Sequence, residues 1–82
     1  MKVVLSKEAA KYLDRLDAPT KKRVRAGLVK LEAEPPKGDI KKMQGADYHR
    51  LRIGGYRVLF EVVKGRIAVH KIAPRGQAYG GE

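Results

Sequence analysis

Hydrophobic and polar residues alternate along Tyr48–Val63, and the alternation continues across a pair of glycines, Gly54 and Gly55. Leu51, Ile53, Tyr56, Val58, Phe60 and Val62 fall on one side of the pattern, and Arg50, Arg52 and Arg57 on the other. Strand side chains point alternately to opposite faces. The stretch therefore predicts two strands, over about 48–53 and 56–63, joined by a two-residue turn of a kind that tolerates positive φ. One face is apolar and suits a core; the other carries arginines. Tyr56 is assigned to the core. His49 shares its parity with Leu51 and reads as a half-buried residue at the edge of the apolar face. A second turn signal, Lys64-Gly65, leads into a third strand over about 66–73.

Upstream the period changes. Residues 2–5 (Lys-Val-Val-Leu) form a short β-branched run that predicts a strand. Ser6 then reads as a helix N-cap. Ala9, Tyr12, Leu13 and Leu16 recur at helical spacing, which predicts one face of a helix from Lys7 to about Leu16. Asp17 or Ala18 precedes Pro19, a residue suited to the first helical turn. A second helix follows to about Glu34, with Val24, Leu28 and Leu31 as its buried stripe, and Pro35-Pro36 ends it. So short a link predicts an antiparallel helical hairpin. Residues 35–47 read as a loop pinned by Ile40 and Met43, with a short extended piece around Lys41–Met43. Ala73–Tyr79 leaves the sheet as an irregular tail. The expected fold is α+β, in the order β-α-α-β-β-β: a twisted antiparallel sheet with the helical hairpin packed on one face. Residues 1–82 form a single domain.

Composition adds charge to this picture. Nineteen Lys and Arg against nine Asp and Glu give a net charge of +10. Basic residues reach strand positions as well as helix exteriors, which points to a polyanionic partner such as nucleic acid. There is no cysteine, so no disulfide, thiolate metal site or thiol nucleophile exists. No apolar run approaches the roughly 18 residues that span a bilayer, and no signal-peptide pattern precedes Lys7 and Glu8. The expectation is a soluble cytoplasmic protein with no membrane association.

Most enzyme constellations lack their residues. The acids sit mainly at helix and loop positions with no evident pairing. Ser6 is the only serine and is assigned to a cap. His49 and His70 are not at helical metal-ligand spacing, so no metal site is expected. No Walker-type phosphate loop is present. What remains is the arginine face, which suits metal-free recognition and cleavage of RNA. Attack by the 2′-hydroxyl needs a base, an acid at the leaving 5′-oxygen, and positive charge at the crowded phosphorus. Guanidinium forks suit the last role, and a tyrosine can stack on a base. His70, opposite in parity to Ile67 and Val69, can face the arginines and transfer protons near neutral pH. Lys71, by simple alternation, falls on the other side.

Tyr48-His49-Arg50-Leu51-Arg52-Ile53-Gly54-Gly55-Tyr56-Arg57-Val58-Leu59-Phe60-Glu61-Val62 resembles the core motif of the RelE/ParE superfamily of type II toxins. The preceding helical hairpin and the tail from Pro74 to Tyr79 are similar too, especially to the archaeal-type RelE branch. The resemblance covers nearly the whole chain. It implies a ribosome-dependent endoribonuclease that cuts mRNA in the A site without a cofactor, leaving a 2′,3′-cyclic phosphate. Its implied catalytic residues are Arg50, Arg57, Arg75 and Tyr79: Arg57 stabilises the transition state, Arg75 acts as acid or phosphate ligand, and Tyr79 stacks on a base. Arg52, Lys71, His70, Lys21, Lys22 and Arg25 form the accompanying RNA-binding set. Arginine is a poor general base, which leaves the base open, with His70 or Lys71 as assistants. Implied partners are a cognate antitoxin and the ribosome with its mRNA. Two alternatives stay open: a ParE-like DNA gyrase inhibitor, and a non-catalytic basic module that binds RNA or a protein.

Overall fold

The computed structural model describes residues 1–43 and 47–74. It is a small α+β domain of two helices and one five-stranded mixed sheet. The elements are β1 (Lys2–Leu5), α1 (Lys7–Arg15), α2 (Ala18–Leu31), β2 (Asp39–Lys42), β3 (His49–Ile53), β4 (Tyr56–Val63) and β5 (Arg66–Pro74). The spatial order is β1-β5-β4-β3-β2.

Helix boundaries follow local chemistry. Ser6 caps α1, its Oγ accepting from the Ala9 amide at 3.0 Å. Asp17 caps α2, its carboxylate accepting from the Thr20 amide, and the Thr20 hydroxyl, helped by that amide, holds the Asp17 carboxyl below its ordinary range. Pro19 sits in the first turn, where its missing N–H costs nothing. α2 ends at Leu31, three residues short of the expected Glu34. The next acids are drawn to the N-terminal strand instead. The Glu32 carboxylate accepts from the Val3 amide at 2.8 Å, and the Glu34 carboxylate accepts from the Met1 ammonium at 2.7 Å.

The sheet departs from the wholly antiparallel one expected. β2 pairs antiparallel with β3, β3 with β4, and β4 with β5, whereas β1 lies parallel to β5, with Lys2 opposite Arg66. The four-residue β2 accounts for this. It adds one reversal to the meander, so β5 finishes in the direction of β1 rather than against it.

Directly opposed residues share a face, so the register separates two faces. The helix-covered face carries Leu51, Ile53, Val58, Phe60, Ile67, Val69 and Ile72, which pack against Ala9, Leu13, Val24, Leu28 and Leu31. Tyr56, expected in the core, is only half-buried at the start of β4. His49 is half-buried as expected and stacks on Phe60 with ring centroids 5.3 Å apart. Gly27 allows α2 to close on the sheet: a Cβ there would lie 2.5 Å from Ile53 Cδ1. Among the described residues, no helix is long and apolar enough to cross a membrane.

Ser6 also fastens the junction of β1 and α1 to β5. Its amide donates to the Val69 carbonyl at 2.8 Å, and its hydroxyl donates to the His70 carbonyl at 2.8 Å. Ser6→Ala removes both the cap and the hydroxyl bond to His70 while keeping the amide bond to Val69, and is expected to cost about 1–2 kcal/mol. Ser6→Asp keeps an acceptor for Ala9 but has no donor for His70, so it should fall between alanine and wild type. Urea unfolding at equilibrium measures both.

Candidate nucleic-acid interface

The face away from the helices is built by the same register. Lys41 of β2 opposes Arg50 of β3, Arg50 opposes Leu59 of β4, and Leu59 opposes Lys71 of β5. The next row runs Asp39, Arg52, Arg57, Ala73. The turn between β3 and β4 preserves the pattern because Gly54 takes φ 56°, and Ile53 opposes Tyr56 across it. Arg50, Arg52 and Arg57 therefore share one face, as the alternation predicts.

Arg57 is the unusual member. It is 7% exposed although it lies off the core face. Among the described residues its buried Nε has no hydrogen-bond partner, and its Nη1 donates only a long 3.5 Å bond to the Tyr56 carbonyl. Arg50 also has a buried Nε without a partner. Its Nη2 lies 3.5 Å from the Asp39 carboxylate, an exposed and loosely held ion pair. Arg52 is exposed. These guanidiniums present donors that the described residues leave free, which is the chemistry of an anion cradle.

The β4–β5 ladder contains a bulge that simple alternation missed. Leu59 opposes Lys71 and Phe60 opposes Val69, leaving His70 with no cross-strand partner. A bulge re-aims side chains and resets the parity beyond it. Lys71, placed on the other side by the sequence reading, consequently joins the arginine face, opposite Leu59. His70 reaches the same face: its ring lies 2.9 Å from the Glu61 carboxylate and edge-on to the Tyr48 ring, with centroids 5.1 Å apart. Tyr48 is 40% exposed.

Other predicted site residues lie elsewhere. Lys21, Lys22 and Arg25 are on α2, in the layer across the sheet from the arginines. Lys21 pairs with Asp14 at 3.5 Å. They do not join the arginine face. Arg75 and Tyr79 lie outside the described residues. Sequence reasoning missed Lys41, because Asp-Ile-Lys-Lys carries a single apolar residue and so little strand signal. It also missed Glu61 as the partner of His70, since that pairing follows from the bulge.

A buried guanidinium nitrogen without a partner is costly, by about 1–3 kcal/mol. Arg57→Met fills a similar volume without that charge. It is expected to stabilise the domain by about 1–2 kcal/mol, measured by chemical denaturation. A variant less stable than wild type would mean that the guanidinium is satisfied in the folded chain.

Comparison with known proteins agrees with this architecture. The family model for the ParE toxin of type II toxin-antitoxin systems (parDE) matches residues 3–79. No curated protein matches the chain in sequence. The chain is similar to the archaeal RelE–RelB complex from Pyrococcus horikoshii OT3, at 33% identity and TM-score 0.77, covering 94% of this chain and 97% of that one. It is similar to the RelB–RelE complex from Methanococcus jannaschii at 26% identity and TM-score 0.75, covering 93% and 94%. The isolated E. coli RelE toxin shares the fold, at 21% identity and TM-score 0.76, covering 95% and 89%. With a family model spanning nearly its whole length and an archaeal relative one-third identical, the chain belongs to the RelE/ParE superfamily of type II toxins.

Proposed function

We propose that this toxin is a ribosome-dependent endoribonuclease that cuts mRNA in the A site by metal-independent attack of a ribose 2′-hydroxyl. The observation that carries the reading is Arg57, a nearly buried guanidinium whose Nε has no partner among the described residues, set in a face that also bears Arg50, Arg52, Lys41 and Lys71. A charge held this way has no stabilising task in the fold, and an incoming phosphate would supply its missing acceptor. In the reaction, O2′ attacks phosphorus, the P–O5′ bond breaks, and a 2′,3′-cyclic phosphate remains. Arg57 and Arg50 hold the non-bridging oxygens as negative charge accumulates. Arg52, Lys41 and Lys71 position the flanking backbone. Arg75 serves as acid or phosphate ligand and Tyr79 stacks on a base, as the family resemblance implies. The ribosome places the reaction in the cytoplasm.

A cognate antitoxin belongs to the same reading. The solved relatives from Pyrococcus horikoshii and Methanococcus jannaschii are RelE toxins in complex with RelB antitoxins. The net charge of +10 suits an acidic partner laid over the cationic face.

The second reading is a ParE-like gyrase inhibitor, favoured by the family model that matches residues 3–79. One set of assays separates the two. Programmed ribosomes incubated with the toxin should yield mRNA cut in the A-site codon, and Arg57→Ala should lower the single-turnover rate by about 100-fold or more. Intact mRNA together with inhibited gyrase supercoiling would establish the gyrase reading instead. Intact mRNA with active gyrase would leave a binding module.

A further inference from the structure

We infer that His70 is the general base of this reaction and that Glu61 is its positioning residue; the inference rests on the endoribonuclease reading. Several elements converge on His70. The bulge takes it out of the β4–β5 ladder. Ser6, at the start of α1, donates its hydroxyl to the His70 carbonyl at 2.8 Å. Glu61 of β4 meets the ring at 2.9 Å, and Tyr48, leading into β3, packs edge-on against it. Backbone and ring are thus held from different sides, while the side chain stays 42% exposed. A histidine needed only for packing has no call for a carboxylate partner on an open face.

The tautomer follows from that partner. A carboxylate can only accept, so Nε2–H donates to Glu61 Oε1 and the lone pair of the neutral ring rests on Nδ1. This is the arrangement by which a carboxylate orients a histidine for proton abstraction. Of the charged and titratable groups around His70, Glu61 faces the ring, Tyr48 packs its edge, and Lys71 follows it on the same face. Lys71 and Arg50 stand two strands apart in one row, so their backbones lie about 10 Å apart. The scissile phosphate on Arg50 and a flanking one on Lys71 can span this row, with the ribose between them toward His70.

The step balances without a co-reactant. Nδ1 takes the 2′-hydroxyl proton as the O2′–P bond forms. The P–O5′ bond breaks, O5′ takes a proton from solvent, and the imidazolium returns its proton to solvent. The guanidiniums of Arg50 and Arg57 stay protonated throughout, which removes the difficulty of an arginine base.

The test is single-turnover cleavage on programmed ribosomes across pH 5–9, with folding followed by circular dichroism and toxin–ribosome binding by co-sedimentation. Wild type should lose rate on the acid side, as a reaction run by a general base does. His70→Ala and His70→Gln should be slower by about 100-fold or more, with that acid limb gone and ribosome binding retained. Glu61→Gln, which keeps a hydrogen-bond acceptor without the charge, should lose less, about 10-fold. A wild-type profile with no acid limb, or His70 variants within threefold of wild type, would overturn the assignment while leaving the endoribonuclease reading intact. Wild type that cuts no mRNA would overturn both.

Discussion

Ile53 and Tyr56 face each other across a two-residue turn, with Gly54 at φ 56°. Every other placement in the site depends on the register this turn imposes. A slip of one residue would send Leu51 and Val58 to solvent and bring Arg50 and Arg57 against the helices. Burial resists that slip strongly, since Leu51 and Val58 are almost fully buried beneath α1 and α2. The apolar face therefore fixes the arginine face without any contact between the arginines themselves. The cation cluster on the open side follows from packing on the other side.

A cluster formed this way carries an electrostatic cost that the core must offset. Arg52 and Arg57 are directly opposed across β3 and β4, a like-charge pair that destabilises a sheet. Arg57 adds desolvation, with a buried Nε lacking an acceptor. Asp39 relieves little of this, being exposed and 3.5 Å from Arg50. Such residues are found where a ligand completes what the fold leaves open, at some expense in stability.

Legibility from sequence divides along physical lines. The β3–β4 hairpin, both helix caps and the split between Leu51 and Arg50 were readable because each rests on local chemistry: a glycine turn, an Oγ or carboxylate cap, strict alternation. Two features were not. β2 has one apolar residue, Ile40, in four, so its pairing with β3 leaves almost no periodic trace. The extended piece expected around Lys41–Met43 was not given a place in the sheet, which also hid the parallel pairing of β1, whose direction relative to β5 depends on how many reversals lie between. The bulge at His70 has no local signature either. It arises where β4 and β5 meet, and it moves Lys71 to the face opposite the one alternation assigns. Each of these misses is a matter of non-local pairing.

The same division bears on how one superfamily houses different toxins. Core-facing positions answer to packing: Leu31, Val58 and Ile67 have no freedom to become polar. Open-face positions on the same strands answer less to packing: Arg52 is exposed, and Arg50 holds only a loose pair with Asp39. Fold likeness to RelE thus says little about chemistry, because the residues that set the TM-score are not the residues that would touch a phosphate. This chain carries a set of open-face features that packing does not require. Arg57 is buried without an acceptor for its Nε, and His70 is displaced by a bulge, tied by Ser6 and oriented by Glu61. A gyrase-binding surface would need shape and charge there, which exposed lysines provide at less cost. A desolvated guanidinium and a carboxylate-oriented imidazole on one open face instead carry a cost that the proposed reaction recovers, the guanidinium meeting the charge on phosphorus and the imidazole taking the 2′-hydroxyl proton.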